Sequence, residues 1–223
     1  MKDQTVFDAL AQKYQKAAFA NKGGTKERIL LTAAALFAKN GYFGVSVKDI
    51  TSVVGIKPAS LYNYYESKEA LWKDVLNRIQ DSYLVFFNRL EAVKPNSTTL
   101  ADVIDNLFYE FKKDEQMFSF YGIALVQSEQ FHSSMAADMF HGVFLNYSIS
   151  IIKRHFDDLV TFGNVEPFDT QAVASVLMYS ILILNNVRVH EDMGRKGSIK
   201  AAEQLDTLKE LILSMANAKV SVN

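Results

Sequence analysis

Apolar positions return at helical spacing almost from the start of the chain. Ile29, Ala33, Leu36 and Phe37 form one stripe, and Lys39-Asn40-Gly41 is a C-terminal stop, so the pattern predicts a helix over residues 25–40. Val47, Ile50, Val53 and Val54 repeat the spacing over a shorter stretch. Ser46 stands where an N-cap belongs, and Asp49 falls in the first turn, where the helix dipole favours an anion. Gly55 follows the last apolar residue, where a left-handed C-cap costs least, and Pro58 suits the first turn of a new helix because its missing N–H has no partner there. In that next helix Leu61 and Tyr65 are four apart and point inward, leaving Lys57, Ala59, Ser60, Tyr62, Asn63 and Tyr64 facing out or sideways. Two helices about a tight turn, the second short and polar on its outer face, make a helix-turn-helix.

Beyond this unit the helical period continues and no strand run appears. Ser67 opens a long helix carrying Trp72, Val75, Leu76, Ile79, Tyr83 and Phe86 to a stop at Lys94-Pro95-Asn96. Five more helices are expected, over 98–113, 114–129, 133–156, 167–192 and 198–218, with breaks at Gly163-Asn164 and at Gly194 to Gly197. The predicted fold is all-α: an N-terminal three-helix helix-turn-helix domain over residues 25–80 and a second helical domain over 81–223, whose expected ligand-binding and dimerisation roles rest on the seam, the aromatic cluster and the resemblance given below. Residues 1–24 form an extension whose Val6, Phe7, Leu10, Ala11 and Tyr14 share one face, as in an amphipathic helix. Packing against the domain behind it is preferred there to an arm that touches DNA. Thr170 to Val187 carries no charge, but Gln171, Asn185 and Asn186 interrupt it, which favours a buried helix over a membrane span.

Charge changes this picture more than composition does. The whole chain carries a formal net charge of −1, yet residues 1–80 hold 12 Lys/Arg against 7 Asp/Glu and the remainder holds 12 against 18. A basic front on an acidic body suits a nucleic-acid reader. With no cysteine, disulfides, thiolate metal sites and a cysteine nucleophile are excluded. No secretory leader pattern opens the chain, which points to the cytoplasm. His132, Asp138 and His141 lie close together but match no metal-binding spacing, and solvated or hydrogen-bonded side chains explain them better. No nucleophile elbow or phosphate-cradling Gly-rich loop appears, so neither an enzyme nor a cofactor is expected.

The outward residues of the short helix offer a cation, small side chains that permit close approach, and hydroxyl and amide groups, which suits a groove walled by phosphates. Lys68 and the N–H groups of the helix that Ser67 opens add a second place for a phosphate. A small helical subdomain with a polar surface is the plainer alternative.

The stretch from Thr25 to Leu76 resembles the DNA-binding domain of the TetR family of transcriptional regulators. The resemblance is carried by Ala34, Leu36-Phe37, Gly41-Tyr42, Ser46-Val47, Asp49-Ile50, Gly55, Leu61-Tyr62, Tyr64-Tyr65, Ser67-Lys68-Glu69 and Leu71. It implies that Ser46 contacts a phosphate, that Lys57, Ala59 and Ser60 lie near base edges, and that Tyr62, Tyr64 and Lys68 clamp the backbone, with Asn63 on the same surface. Lys57 stands where the family often has serine, and Tyr64 where it often has histidine.

Two further readings concern the body. Leu205, Leu208, Ile212 and Met215 are spaced three, four and three apart, an apolar seam at the C-terminus that Ile199 and Ala202 extend. With the apolar helix before it, this seam is expected to form a four-helix interface between two copies, which is also the family's arrangement. Aromatic residues crowd the middle of the chain, and Phe108, Phe111, Tyr121, Phe144 and Tyr147 are candidates to line a pocket for a small apolar or aromatic effector. The resulting expectation is a homodimeric repressor on a palindromic double-stranded operator, released by an inducer. A regulator controlled by a protein partner, and an all-helical enzyme or hydrophobic-ligand carrier, are the alternatives.

Overall fold

The computed structural model describes residue 16 and residues 24–91, 99–113, 120–192 and 200–217. Every regular element among them is helical: α1 (Thr25–Asn40), α2 (Val47–Val54), α3 (Pro58–Leu61), α4 (Lys68–Glu91), α5 (Leu100–Lys113), α6 (Phe120–Glu129), α7 (Ser134–Asp138), a π-helical stretch (Met139–Tyr147), α8 (Ser148–Thr161), α9 (Thr170–Asp192) and α10 (Ala201–Asn217). The all-α expectation holds. The proposed extension over residues 1–24, residues 16 and 24 apart, and the stop at Lys94 to Asn96 lie outside the described residues, as does Ile199; of Phe111, only the backbone is described.

The chain divides into two compact units, Met1–Asp81 with Met117–Met139, and Ser82–Gln116 with Phe140–Asn223. The chain first crosses from one unit to the other after Asp81, inside α4. The expectation that everything from residue 81 onward forms one body needs correction, because α6 and α7 pack with the N-terminal unit. Trp72 Nε1 donates to Ser133 Oγ at 3.2 Å, and Gly122 comes so close to Ile79 that a Cβ there would sit 2.7 Å from Cγ2. Helical spacing shows that α6 buries a surface but not against which neighbour.

In the N-terminal unit α1 is the central rod. Ile29, Leu30, Leu31, Ala33, Ala34, Ala35, Phe37 and Ala38 are all buried, so α1 is enclosed on more sides than the predicted stripe required, while Leu36 is only half-buried. Small alanine side chains let α2 approach its axis closely. Phe37 and Trp72 meet edge-to-face at 5.3 Å, the geometry that ring quadrupoles favour.

In the other unit α9 packs against α8 and α10, and α10 also meets α5. Tyr83 and Phe144 have ring centroids 4.4 Å apart, and the Tyr83 hydroxyl lies 2.8 Å from Ser148 Oγ, a buried polar pair beside the π-helical stretch. That stretch replaces part of the single helix expected over 133–156. Ser148 Oγ also donates to the Val143 carbonyl at 3.1 Å, across one wide turn. Helix α9 is long and apolar enough to cross a membrane by length and composition, and half of its apolar window is buried within the protein.

Candidate nucleic-acid interface

The helix-turn-helix is built from local bonds that its sequence dictates. Ser46 and Asp49 form a reciprocal capping box at the start of α2: the Asp49 N–H donates to Ser46 Oγ at 3.2 Å, and Asp49 Oδ2 accepts from the Ser46 N–H at 2.8 Å and its hydroxyl at 2.6 Å. These bonds hold the Asp49 carboxyl below its usual range. At the other end Gly55 adopts φ 79° and ψ 35°, a left-handed cap that glycine takes without Cβ strain, and its N–H donates to the Thr51 carbonyl at 2.9 Å. Arg28 Nη2 donates to the Val54 carbonyl at 2.8 Å. That bond ties α1 to the last turn of α2 and engages the Arg28 guanidinium.

Lys57 is the N-cap of α3, extended at φ −72° and ψ 146°, with Pro58 inside the first turn. Its side chain makes no capping bond and is exposed. Leu61 is fully buried and Tyr65 nearly so, as their spacing predicted. Anchored by these two residues, the segment presents Lys57, Pro58, Ala59, Tyr62, Asn63 and Tyr64 to solvent, with Ser60 half-buried at the side. Tyr62 and Tyr64 are 55 % and 41 % exposed, a large aromatic surface for a folded unit to leave open. Tyr65 instead turns its hydroxyl to Asp74 Oδ2 at 2.8 Å, and burial raises its pKa.

Two positions differ from the sequence reading. Lys68 does not project from the surface: its ammonium donates to the carbonyls of Tyr42 at 3.0 Å and Val45 at 2.9 Å and lies 4.2 Å from the Tyr42 ring centroid. Burial lowers its pKa. Lys48, which the sequence reading passed over, is exposed in the first turn of α2, two residues from Ser46. A cation there opposes the helix dipole, and that mismatch was the available signal for a role outside the helix.

The body's candidates fare differently. Leu205, Leu208 and Ile212 are 1 %, 7 % and 0 % exposed within a single chain, so these positions of the predicted dimer seam pack in the chain's own core and Met215 is half-buried at its edge. On α9 and α10 the large apolar residues left exposed are Tyr179, Ile183 and Leu211. Among the pocket candidates, Phe108 and Phe144 are buried, Tyr147 is half-buried, and Tyr121 belongs to the N-terminal unit rather than to the body. Among the described residues no group of three or more His, Asp or Glu side chains is placed to hold a metal ion.

Among the described residues an all-α fold thus carries a capped helix-turn-helix, its second helix exposed and followed by a long helix. Residues 29–75 match the family model for bacterial regulatory proteins of the tetR family. The chain is 29% identical over 91 residues to the HTH-type transcriptional repressor KstR2 of Rhodococcus jostii, a match that spans 41% of this chain and 45% of that protein's length. Among solved structures, Salmonella enterica GusR aligns at a TM-score of 0.64 with 20% identity, covering 87% of this chain and 96% of its own. AibR, solved in complex with isovaleryl coenzyme A and operator DNA, aligns at 0.54 with 16% identity over 84% of this chain and 97% of its own. Over residues 29–75 the chain is similar to the N-terminal domain of the TetR family. The matched model and relative are of transcriptional regulators, not enzymes.

Proposed function

We propose that this protein is a homodimeric repressor that occupies a palindromic operator in the cytoplasm and is released by a small apolar or aromatic effector. One observation carries the DNA-binding part: the segment from Lys57 to Tyr64 is anchored by buried Leu61 and Tyr65 and leaves its cation, rings and amide in solvent. In this reading Lys57, Ala59, Ser60 and Asn63 meet base edges, while Tyr62, Tyr64, Ser46 and Lys48 meet phosphates. The phosphate role of Ser46 requires its hydroxyl proton to leave Asp49.

Pairing is supported by the apolar positions Tyr179, Ile183 and Leu211, left open on adjacent helices α9 and α10. Two reading helices about 34 Å apart would address successive major grooves on one face of the duplex. For the effector, the support is the structurally similar AibR, solved with an acyl coenzyme A and operator DNA. An effector acts by differential affinity for the DNA-competent and DNA-incompetent conformers. One observation favours control by a protein partner instead: Phe108 and Phe144, nominated to line a pocket, are packed as core.

Selection of bound sequences from random duplex DNA tests the reading. Enrichment of an inverted repeat is expected; an unenriched pool would overturn it. A thermal-shift screen with acyl coenzyme A and aromatic compounds then separates the two modes of control, since only a small-molecule effector raises the unfolding midpoint.

A further inference from the structure

The loop between α1 and α2 is held from more sides than a surface turn requires. Gly41 to Val45 leads directly into Ser46, the residue that starts α2. Within it Gly44 lies so close to the end of α1 that a Cβ would come 2.2 Å from the Asn40 carbonyl oxygen. The Tyr42 ring is surrounded by Phe37, Phe43 and Trp72, with centroids 5.5, 5.2 and 5.5 Å away. The Tyr42 N–H points to Glu129 Oε2 at 3.4 Å. Two loop carbonyls, those of Tyr42 and Val45, converge on one ammonium, that of Lys68, which also covers the Tyr42 ring.

Lys68 is the first residue of α4, with Ser67 accepting the Ala70 N–H at 3.0 Å as its cap. A cation at a helix N-terminus is repelled by the helix dipole, so the position carries a cost unless something nearby demands positive charge. The two carbonyls and the ring face supply that demand, and all lie within unit Met1–Asp81.

We propose that Lys68 is a positioning residue of the reading head: its ammonium fixes the Gly41–Val45 loop, and through it the start of α2, instead of gripping a DNA phosphate. The inference rests on the DNA-binding reading for its consequence, but its geometric core is measurable without DNA. A loop freed of Lys68 lets the Ser46 cap move, and with it the face of α2 that carries Lys48. Affinity then falls because the head is less ordered before binding, not because an ion pair with DNA has been lost.

The Lys68→Met variant separates these causes. In the DNA-free protein, the Ser46 amide, bonded to Asp49, is expected to exchange on the order of tenfold faster, as local opening becomes easier. Unchanged exchange overturns the proposal whether or not the protein binds DNA. On a selected palindromic duplex, affinity is expected to fall by about tenfold while the slope of log affinity against log salt stays at the wild-type value. A slope shallower by about one unit identifies a phosphate contact and also overturns the proposal. Because the chain has no cysteine, a Lys68→Cys variant can be alkylated at that position alone. Bromoethylamine, which rebuilds an ammonium of matching length, is expected to restore both exchange protection and affinity, and neutral iodoacetamide neither. Rescue by both reagents would reduce Lys68 to a space-filling side chain and refute the proposal. If the methionine variant does not fold, Lys68→Gln provides the same readouts. Wild-type protein that binds no duplex at all sinks the proposed function, while the exchange experiment still decides the loop.

Discussion

Ser46 and Asp49 spend their polar atoms on each other, and this fixes where α2 begins. Replacing Ser46 with alanine removes an N-cap acceptor and leaves the Asp49 N–H without it. The expected loss is about 1 kcal/mol of unfolding free energy, measurable by chemical denaturation. Glu129 is the opposite kind of residue, a carboxylate only 6 % exposed whose pKa burial pushes above the ordinary 4.5, against weaker pulls from the Tyr42 N–H and His132. A raised folded pKa means that the fold favours the protonated form. Its stabilising contribution is therefore complete below the ordinary value and is lost as pH rises through the raised one. A Glu129→Gln variant, neutral at every pH, is expected to unfold at a higher temperature than wild type near neutrality, with the gap closing as pH falls below the ordinary glutamate value. A gap that is constant with pH would show that the carboxylate does not titrate differently in the fold. The pairing of Glu129 with Tyr42 was not legible in the sequence, because 87 residues separate them and nothing local to either announces it.

Helices α1 to α4 are where sequence and structure agree most closely, since caps and stops act within a few residues. Ser46, Gly55 and Pro58 each do locally what their side chains or backbone freedom require, and Leu61 and Tyr65 turn inward as their spacing demands. The same reading fails for α6, whose partner is chosen by shape. Gly122 lets α6 approach Ile79 of α4, where an added methyl would meet Cγ2 at 2.7 Å and Cγ1 at 2.9 Å. A Gly122→Ala variant is expected to lose about 1–3 kcal/mol by overpacking a fully buried isoleucine, read from its denaturation midpoint. An unchanged midpoint would mean that α6 is free to retreat.

At the scale of the molecule, the proposed dimer depends on which face of α9 and α10 stays open. Leu205, Leu208 and Ile212 face inward, and Tyr179, Ile183 and Leu211 remain outside. An Ile183→Asp variant, which puts a charge on a position 63 % exposed in the single chain, is expected to sediment as a monomer without losing its helical content. Its affinity for a palindromic duplex should drop by on the order of a hundredfold, because the second head no longer binds as a tethered site. A variant that stays dimeric would place the interface elsewhere.

The sequence by itself determined the helices of the head, their caps, and which residues of the short helix face away from the core, because each depends on neighbours within about one turn. It also carried the likeness to the TetR family over residues 29–75, through a combination of small, aromatic and capping residues around one turn. Only the tertiary structure decided that Lys68 and Arg28 donate to backbone carbonyls of their own unit, that α6 and α7 join the N-terminal unit, and that Leu205, Leu208 and Ile212 are buried within a single chain. Periodicity establishes that a face is apolar or that a residue is charged; what meets that face, and where that charge ends, is settled by packing between residues far apart in the chain.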